Sequence, residues 1–166
     1  MRPRLLVLLV VAMAWGGAEY YRFQHPLAQT ARLRAVVSEL ETLQVTVFRD
    51  QDWCECFEYP GGRFMQSSHE STCGLFQGKA RPFDQVARRD FERIATAVGK
   101  SRVSVLWITA RYRNRKLVEA QFSLGGWGRR SFIYAPGYGT PPPDQGNEMR
   151  YTALDADWYQ LDEDWN

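Results

Sequence analysis

An apolar run near the start of the chain decides in which compartment the rest of it folds. Arg2 and Arg4 precede an unbroken apolar stretch over residues 5–15, and three small residues over 16–18 follow it. A cationic start, a short apolar core and a small-residue exit are typical of an export signal. We therefore expect residues 1–18 to be a signal peptide or signal anchor, and residues 19–166 to form one exported domain.

The length of the apolar segment leaves two outcomes open. A helix over residues 5–18 rises about 21 Å, whereas the hydrocarbon core of a bilayer is about 30 Å thick. This shortness favours cleavage, which would leave a secreted or periplasmic protein. Tyr20, Tyr21 and Phe23 are the kind of aromatic belt that lengthens a short span, which favours an uncleaved membrane anchor.

Composition indicates a folded domain and gives no sign of a nucleic-acid partner. The chain is 45% hydrophobic and 14% aromatic, which is too much for a disordered segment. Its net charge of +2 is the small difference between 21 basic and 19 acidic residues. Nucleic-acid binding needs a strong basic field, so we expect none.

Two segments have the periodicity of amphipathic helices. The first is predicted to begin near Pro26 and to end around Glu41, and its apolar stripe consists of Leu33, Val36, Leu40, Leu43 and Val47. The second is predicted to follow an N-cap at Asp84 and to end at Gly99. Its buried stripe is predicted to consist of Val86, Ala87, Phe91, Ile94, Ala95 and Val98.

Alternating apolar residues and turn signals predict strands after each helix. The predicted strands cover residues 43–49, 53–59, 63–66, 103–112, 117–124, 130–135, 150–154 and 158–161. In the fifth of these, Val118, Ala120, Phe122 and Leu124 are predicted to share the core face. The short connections favour antiparallel pairs. The predicted fold class is therefore α+β, with two helices packed on antiparallel meander sheets.

Three cysteines make a disulfide the first expectation for an exported chain. Cys54 and Cys56 lie two residues apart on a predicted strand, so both side chains point to the same face. A bond between these two would strain an extended backbone. Cys73 is therefore the expected partner of either one, and one thiol is left over.

The spare thiol supports an alternative function. Cys54, Cys56 and Cys73, together with His69, supply four ligands of the kind that zinc and cuprous copper prefer. The same residues also allow thiol exchange. The spacing matches no common zinc motif, so a metal site or a redox function is the second hypothesis.

A long polar loop is the predicted binding surface. Residues 136–148 form a connection longer than a hairpin needs, and three consecutive prolines stiffen it. Tyr138 is the expected aromatic anchor, with Pro141, Pro142 and Pro143 as its neighbours on the surface. The alternative is a loop that closes on its own side chains.

No set of residues in the sequence forms a catalytic motif. The chain has two histidines, and Ser68, His69 and Glu70 are consecutive, so their side chains point apart in an extended segment. The preferred hypothesis is a non-enzymatic exported domain that needs no cofactor. We expect its partner to be a protein or another envelope component, and the membrane to be contacted through the N-terminal segment if that segment is retained.

Overall fold

The computed structural model describes residues 24–67, 79–125, 129–146 and 148–163. The predicted signal segment, residues 1–18, lies outside these ranges. The described helices and strands are α1 (Pro26–Leu43), β1 (Val47–Gln51), β2 (Cys54–Tyr59), β3 (Gly62–Ser67), α2 (Gln85–Ser101), β4 (Val105–Arg113), β5 (Lys116–Leu124), β6 (Arg129–Tyr134), β7 (Met149–Ala153) and β8 (Trp158–Glu163). Neither helix in this part of the chain is long and apolar enough to span a membrane.

All eight strands belong to one antiparallel sheet. Their order across it is β3-β2-β1-β4-β5-β6-β8-β7. Both helices pack on one face of this sheet, so the predicted α+β fold is confirmed. The meander is broken in two places: the chain crosses from the edge at β3 to place β4 beside β1, and it later runs from β6 to the outer edge to form β7. It then returns to place β8 between them.

Pairing of β1 with β4 joins the two halves of the chain into this single sheet. Val47 lies opposite Thr109 and Phe48 lies opposite Ile108. The N–H of Ala110 also donates a 2.8 Å hydrogen bond to the carbonyl oxygen of Thr46. Each half contributes one helix and a set of neighbouring strands on its own side of this junction.

Helix α1 is two residues longer than predicted. Pro26 occupies its first turn, where a missing N–H costs no hydrogen bond. The helix ends at Leu43 because Gln44 adopts the left-handed conformation, with φ 56°, and its N–H bonds back to the carbonyl oxygen of Leu40. Val47 belongs to β1, as the strand predicted over residues 43–49 has it, and not to the helical stripe.

Helix α2 begins as predicted and ends later. The carboxylate of Asp84 accepts a 2.8 Å hydrogen bond from the N–H of Ala87, which is the predicted N-cap. Gly99 lies inside the helix, which is closed instead by Arg102 at φ 54°. The predicted burial of Val86 is wrong, because its side chain is 53% exposed on the first turn.

Aromatic rings fill the space between α2 and the first half of the sheet. The ring of Phe91 lies 5.0 Å from Phe48, 5.8 Å from Phe57 and 5.2 Å from Phe83, measured between centroids. Tilted and edge-on rings at such distances add to the free energy of burial. Phe91 therefore joins one helix to two strands of the sheet.

A β-bulge in the β4–β5 pair corrects the predicted face of β5. The pairing register shifts between Arg111 and Tyr112, and Leu117 lies opposite Tyr112. As a result Leu117 is 4% exposed, whereas Val118 is 38% exposed. The alternation of β5 was read correctly from Ala120 onwards, but the extra residue reverses it before that point.

The bulge gives a matched pair of neighbouring substitutions. We expect Leu117→Ala to lower the free energy of unfolding by about 2–4 kcal/mol, because it opens a cavity in the core. Val118→Ala, at an exposed site, should change it by less than about 1 kcal/mol. Urea unfolding of both variants measures the difference. A larger loss for Val118→Ala would mean that the bulge is absent.

Candidate functional site at the β1–β2 turn

Strand β2 carries two of the three cysteines on the face turned away from the helices. Cys54 and Cys56 are buried there against Val47, in a cluster separate from the main core. Cys54 is disulfide-bonded, whereas Cys56 is a buried thiol. Their two sulfur atoms lie 3.5 Å apart. Cys73, the third cysteine of the sequence, lies outside the described residues.

The predicted metal-binding set is not assembled in the described part of the chain. There, no group of three or more His, Cys, Asp and Glu side chains has an arrangement that could hold a metal ion. Two of the four predicted ligands, His69 and Cys73, fall outside the described residues. A disulfide sulfur is also not a thiolate ligand, so Cys54 would have to be reduced before it bound a metal.

An arginine between two indole rings fixes the position of the β1–β2 turn. The guanidinium carbon of Arg49 lies 4.4 Å from the ring centroid of Trp53 and 5.7 Å from that of Trp107. Its Nε donates a 2.7 Å hydrogen bond to Gln51. The hydroxyl of Ser67 on the neighbouring strand donates to the carbonyl oxygen of Trp53 at 3.1 Å. These contacts hold Trp53 in place.

A second arginine ties this turn to α2. Asp50 and Glu55 lie directly opposite each other on β1 and β2. Arg88 reaches from the first turn of α2 and bonds to Glu55 at 2.8 Å and to the side-chain oxygen of Gln66 at 2.9 Å. Its guanidinium also lies 4.1 Å from the ring centroid of Phe83. The carboxylate of Glu55 is thereby held in a fixed orientation.

The turn borders an open cleft of about 470 Å³, which we call the turn cleft. Its lining consists of Asp50, Gln51, Asp52, Trp53, Cys54, Glu55, Gln66 and Ser67. Burial raises the pKa of the Asp50 carboxyl, and the charges of Glu55 and Asp52 raise it further, whereas Arg88 lowers it. Three carboxylates and one indole ring thus share the lining of the cleft.

The predicted binding loop is attached to the rest of the domain. Tyr138 lies 5.1 Å from Tyr159 between ring centroids, and its hydroxyl donates to the carbonyl oxygens of Asp155 at 2.9 Å and of Trp158 at 3.2 Å. These are the contacts of a loop that closes on its own protein.

The proline run lies further along the same loop. Pro141 is half-buried, whereas Pro142 and Pro143 are exposed. Asp144, which follows them, accepts a 2.7 Å hydrogen bond from the N–H of Tyr151 in the edge strand. The role of the prolines in binding a partner stays a prediction.

Comparisons with known proteins identify no relative for this chain. No family model matches it, no curated protein matches it, and no solved structure matches it. The site is therefore interpreted from its own geometry and chemistry.

The acidic residues of the turn cleft were missed at the level of sequence. The sequence pattern predicts only a connection between the strands over residues 43–49 and 53–59, and Glu55 is one polar residue of the second strand. The signal that could have indicated an acidic site was the closeness of Asp50, Asp52 and Glu55 in the sequence, around one tight hairpin. Arg88 had no signal at all, because it meets Glu55 across 33 residues of chain.

The raised pKa of Asp50 predicts a pH-dependent stability. A carboxyl whose pKa is raised by folding binds its proton more tightly in the native state, so stability falls as pH rises through that pKa. We expect Asp50→Asn to be more stable than the wild type at pH 7, and this advantage to vanish below the ordinary pKa of Asp. Urea midpoints between pH 3.5 and 7.5 measure it, with Glu41→Gln as the control. A destabilised Asp50→Asn at pH 7 would contradict the prediction.

Proposed function

We propose that this chain is an exported, non-enzymatic binding domain whose turn cleft takes a cationic side chain of a protein partner in the cell envelope. The observation that carries this proposal is the cleft itself, whose lining includes carboxylates from both strands of one hairpin and the residue Trp53. The export signal predicted for residues 1–18 and the disulfide bond of Cys54 support an extracytoplasmic setting.

Charge selects the kind of group that the cleft accepts. Asp50, Asp52 and Glu55 line it, and Arg88 offsets Glu55. Asp50 and Asp52 are therefore the two carboxylates that leave the lining of the cleft with a net negative charge. A lysine or arginine side chain would interact favourably with both, and its methylene stem would lie against the indole of Trp53. A bound cation would also favour the ionised form of Asp50, so we expect its affinity to rise with pH.

The rigidity of the cleft favours binding over catalysis. Arg49 holds Trp53 from one side, and Arg88 fixes Glu55 from α2. A wall that is already ordered loses little conformational entropy when a ligand arrives. None of the described residues that line the cleft is a histidine or a lysine, and its cysteine is disulfide-bonded. The chemistry present is thus that of recognition.

Short peptides test the proposal. We expect a blocked tri-arginine peptide to quench tryptophan fluorescence saturably, and a blocked tri-glutamate peptide to have no effect. Asp50→Asn combined with Asp52→Asn should weaken the tri-arginine peptide about fivefold, as expected for two partly exposed ion pairs. Raising the salt from 0.1 to 0.5 M should weaken it as well.

A matched control separates the cleft from general charge. Glu41→Gln combined with Glu148→Gln removes the same two charges from exposed positions elsewhere. This variant should bind tri-arginine like the wild type at 0.1 M salt. Equal losses in the two double variants would place the interaction outside the cleft and overturn the proposal.

A thiol-redox function is the second candidate, because the Cys56 thiol lies 3.5 Å from a disulfide sulfur. An attacking thiolate must approach a disulfide this closely, and the exchange is isoelectronic: one S–S bond forms as another breaks, and a thiolate leaves. Against it stands the complete burial of Cys56, which removes the thiolate from solvent and from a redox partner.

Thiol counting and metal analysis decide between the two candidates. For the binding domain, we expect one thiol per chain in denaturant without reductant, less than a tenth of it reactive in the native state, and no zinc or copper. Cys56→Ala should then keep the peptide affinity unchanged. A native thiol that reacts within seconds, or metal bound in a 1:1 ratio, would favour the redox or metal-handling function instead.

A further inference from the structure

The second turn of α1 and the end of α2 together form a cationic surface, which consists of Arg32, Lys100 and Arg102. Arg32 and Lys100 line an open groove of about 330 Å³ between the two helices. Arg102 is the residue that closes α2, and its charge acts on Arg32. Lys100 and Arg102 are exposed to solvent.

The described residues that line the groove carry more positive than negative charge. Glu39, which lines the same groove, bonds to Arg93 at 2.7 Å. The first turn of α1 contains no acidic residue. Burial lowers the pKa of Arg32, and the like charge of Arg102 lowers it further. The fold therefore holds charges of the same sign together, an arrangement that an anionic surface would relieve.

The sequence places this surface close to the predicted membrane segment. The apolar segment ends at Ala18, and the described chain begins at Gln24. Six residue steps extend at most about 21 Å, even when the chain is fully stretched. In the uncleaved form, α1 would therefore begin within that distance of the bilayer.

We propose that, in the anchored form of the chain, the cationic surface rests on anionic phospholipid headgroups and so orients the domain on the membrane. This inference uses the anchor alternative for residues 1–18 and is independent of what the turn cleft binds. Each Lys or Arg near an anionic leaflet contributes a factor of about five to binding. Arg32 is half-buried, so the two exposed groups, Lys100 and Arg102, give a factor of about 25, which is weak for an untethered protein but sufficient to orient a tethered one.

Two exposed lysines allow a measurement within one molecule. Lys100 belongs to the cationic surface, whereas Lys116 lies in the β4–β5 hairpin. That hairpin contacts the other end of α1, where Gln44 bonds to the carbonyl oxygen of Arg115. Arg32 and Gln44 are 12 residues apart along this helix, so the two places are separated by about 18 Å.

The experiment uses the full chain in lipid nanodiscs and lysine acetylation followed by mass spectrometry. In discs with 30% phosphatidylglycerol, we expect Lys100 to be acetylated at least fivefold more slowly than in discs of phosphatidylcholine alone. Lys116 should be acetylated at the same rate in both. Salt at 0.5 M should abolish the protection of Lys100.

A double variant, Arg32→Gln combined with Arg102→Gln, tests whether the cationic surface is the cause of the protection. It should restore the rate of Lys100 in anionic discs to the rate in neutral discs, with circular dichroism and the rate of Lys116 reporting that the fold is intact. If Lys100 reacts equally fast in anionic and neutral discs of the wild type, the inference is overturned. This outcome needs no variant and leaves the peptide affinity of the turn cleft untouched, so the two proposals fail separately.

Discussion

The junction between β1 and β4 is the interaction on which the rest of this structure depends. In the order of the sheet it is the sole strand pairing between the first and second halves of the described chain. The hydroxyl of Tyr112 on β4 strengthens it by donating to the carbonyl oxygens of Leu40 at 2.8 Å and of Val45 at 3.1 Å. Leu40 and Val45 lie where the chain passes from α1 into β1. The side chain of Tyr112 therefore fixes the register of β1 against β4. The turn cleft at the far end of β1 inherits that register.

The two outer strands of the sheet are also protected, and this explains the long polar loop. On β3, the N–H of Met65 bonds to the carbonyl oxygen of Arg81 at 3.0 Å, beside the isolated pairing of Phe64 with Arg81. On β7, Gln145 pairs with Met149. Exposed edges are sites of aggregation, so the loop before β7 has a structural role whatever else it binds.

Local patterns were sufficient for the elements of the fold. The N-cap at Asp84, the stripe of Leu33, Val36 and Leu40, and the alternation of β5 from Ala120 onwards all depend on residues a few positions apart. The errors occurred at a helix end and at a strand bulge. Val118 is exposed because of a bulge against β4, and Gly99 stays helical because Arg102 supplies the left-handed residue instead. Neither the bulge at Val118 nor the helical position of Gly99 is indicated by the periodicity of the sequence.

The sequence by itself determined the α+β class, the export signal as a prediction, and the common face of Cys54 and Cys56. These depend on composition and on helix and strand periods, which are local properties. Only the tertiary structure decided that the strands form one sheet, that Tyr138 packs on its own domain, and that carboxylates and Arg88 meet at the β1–β2 turn. The physical reason is that a cleft is made by side chains far apart in the chain, whose contact is set by strand register and helix packing.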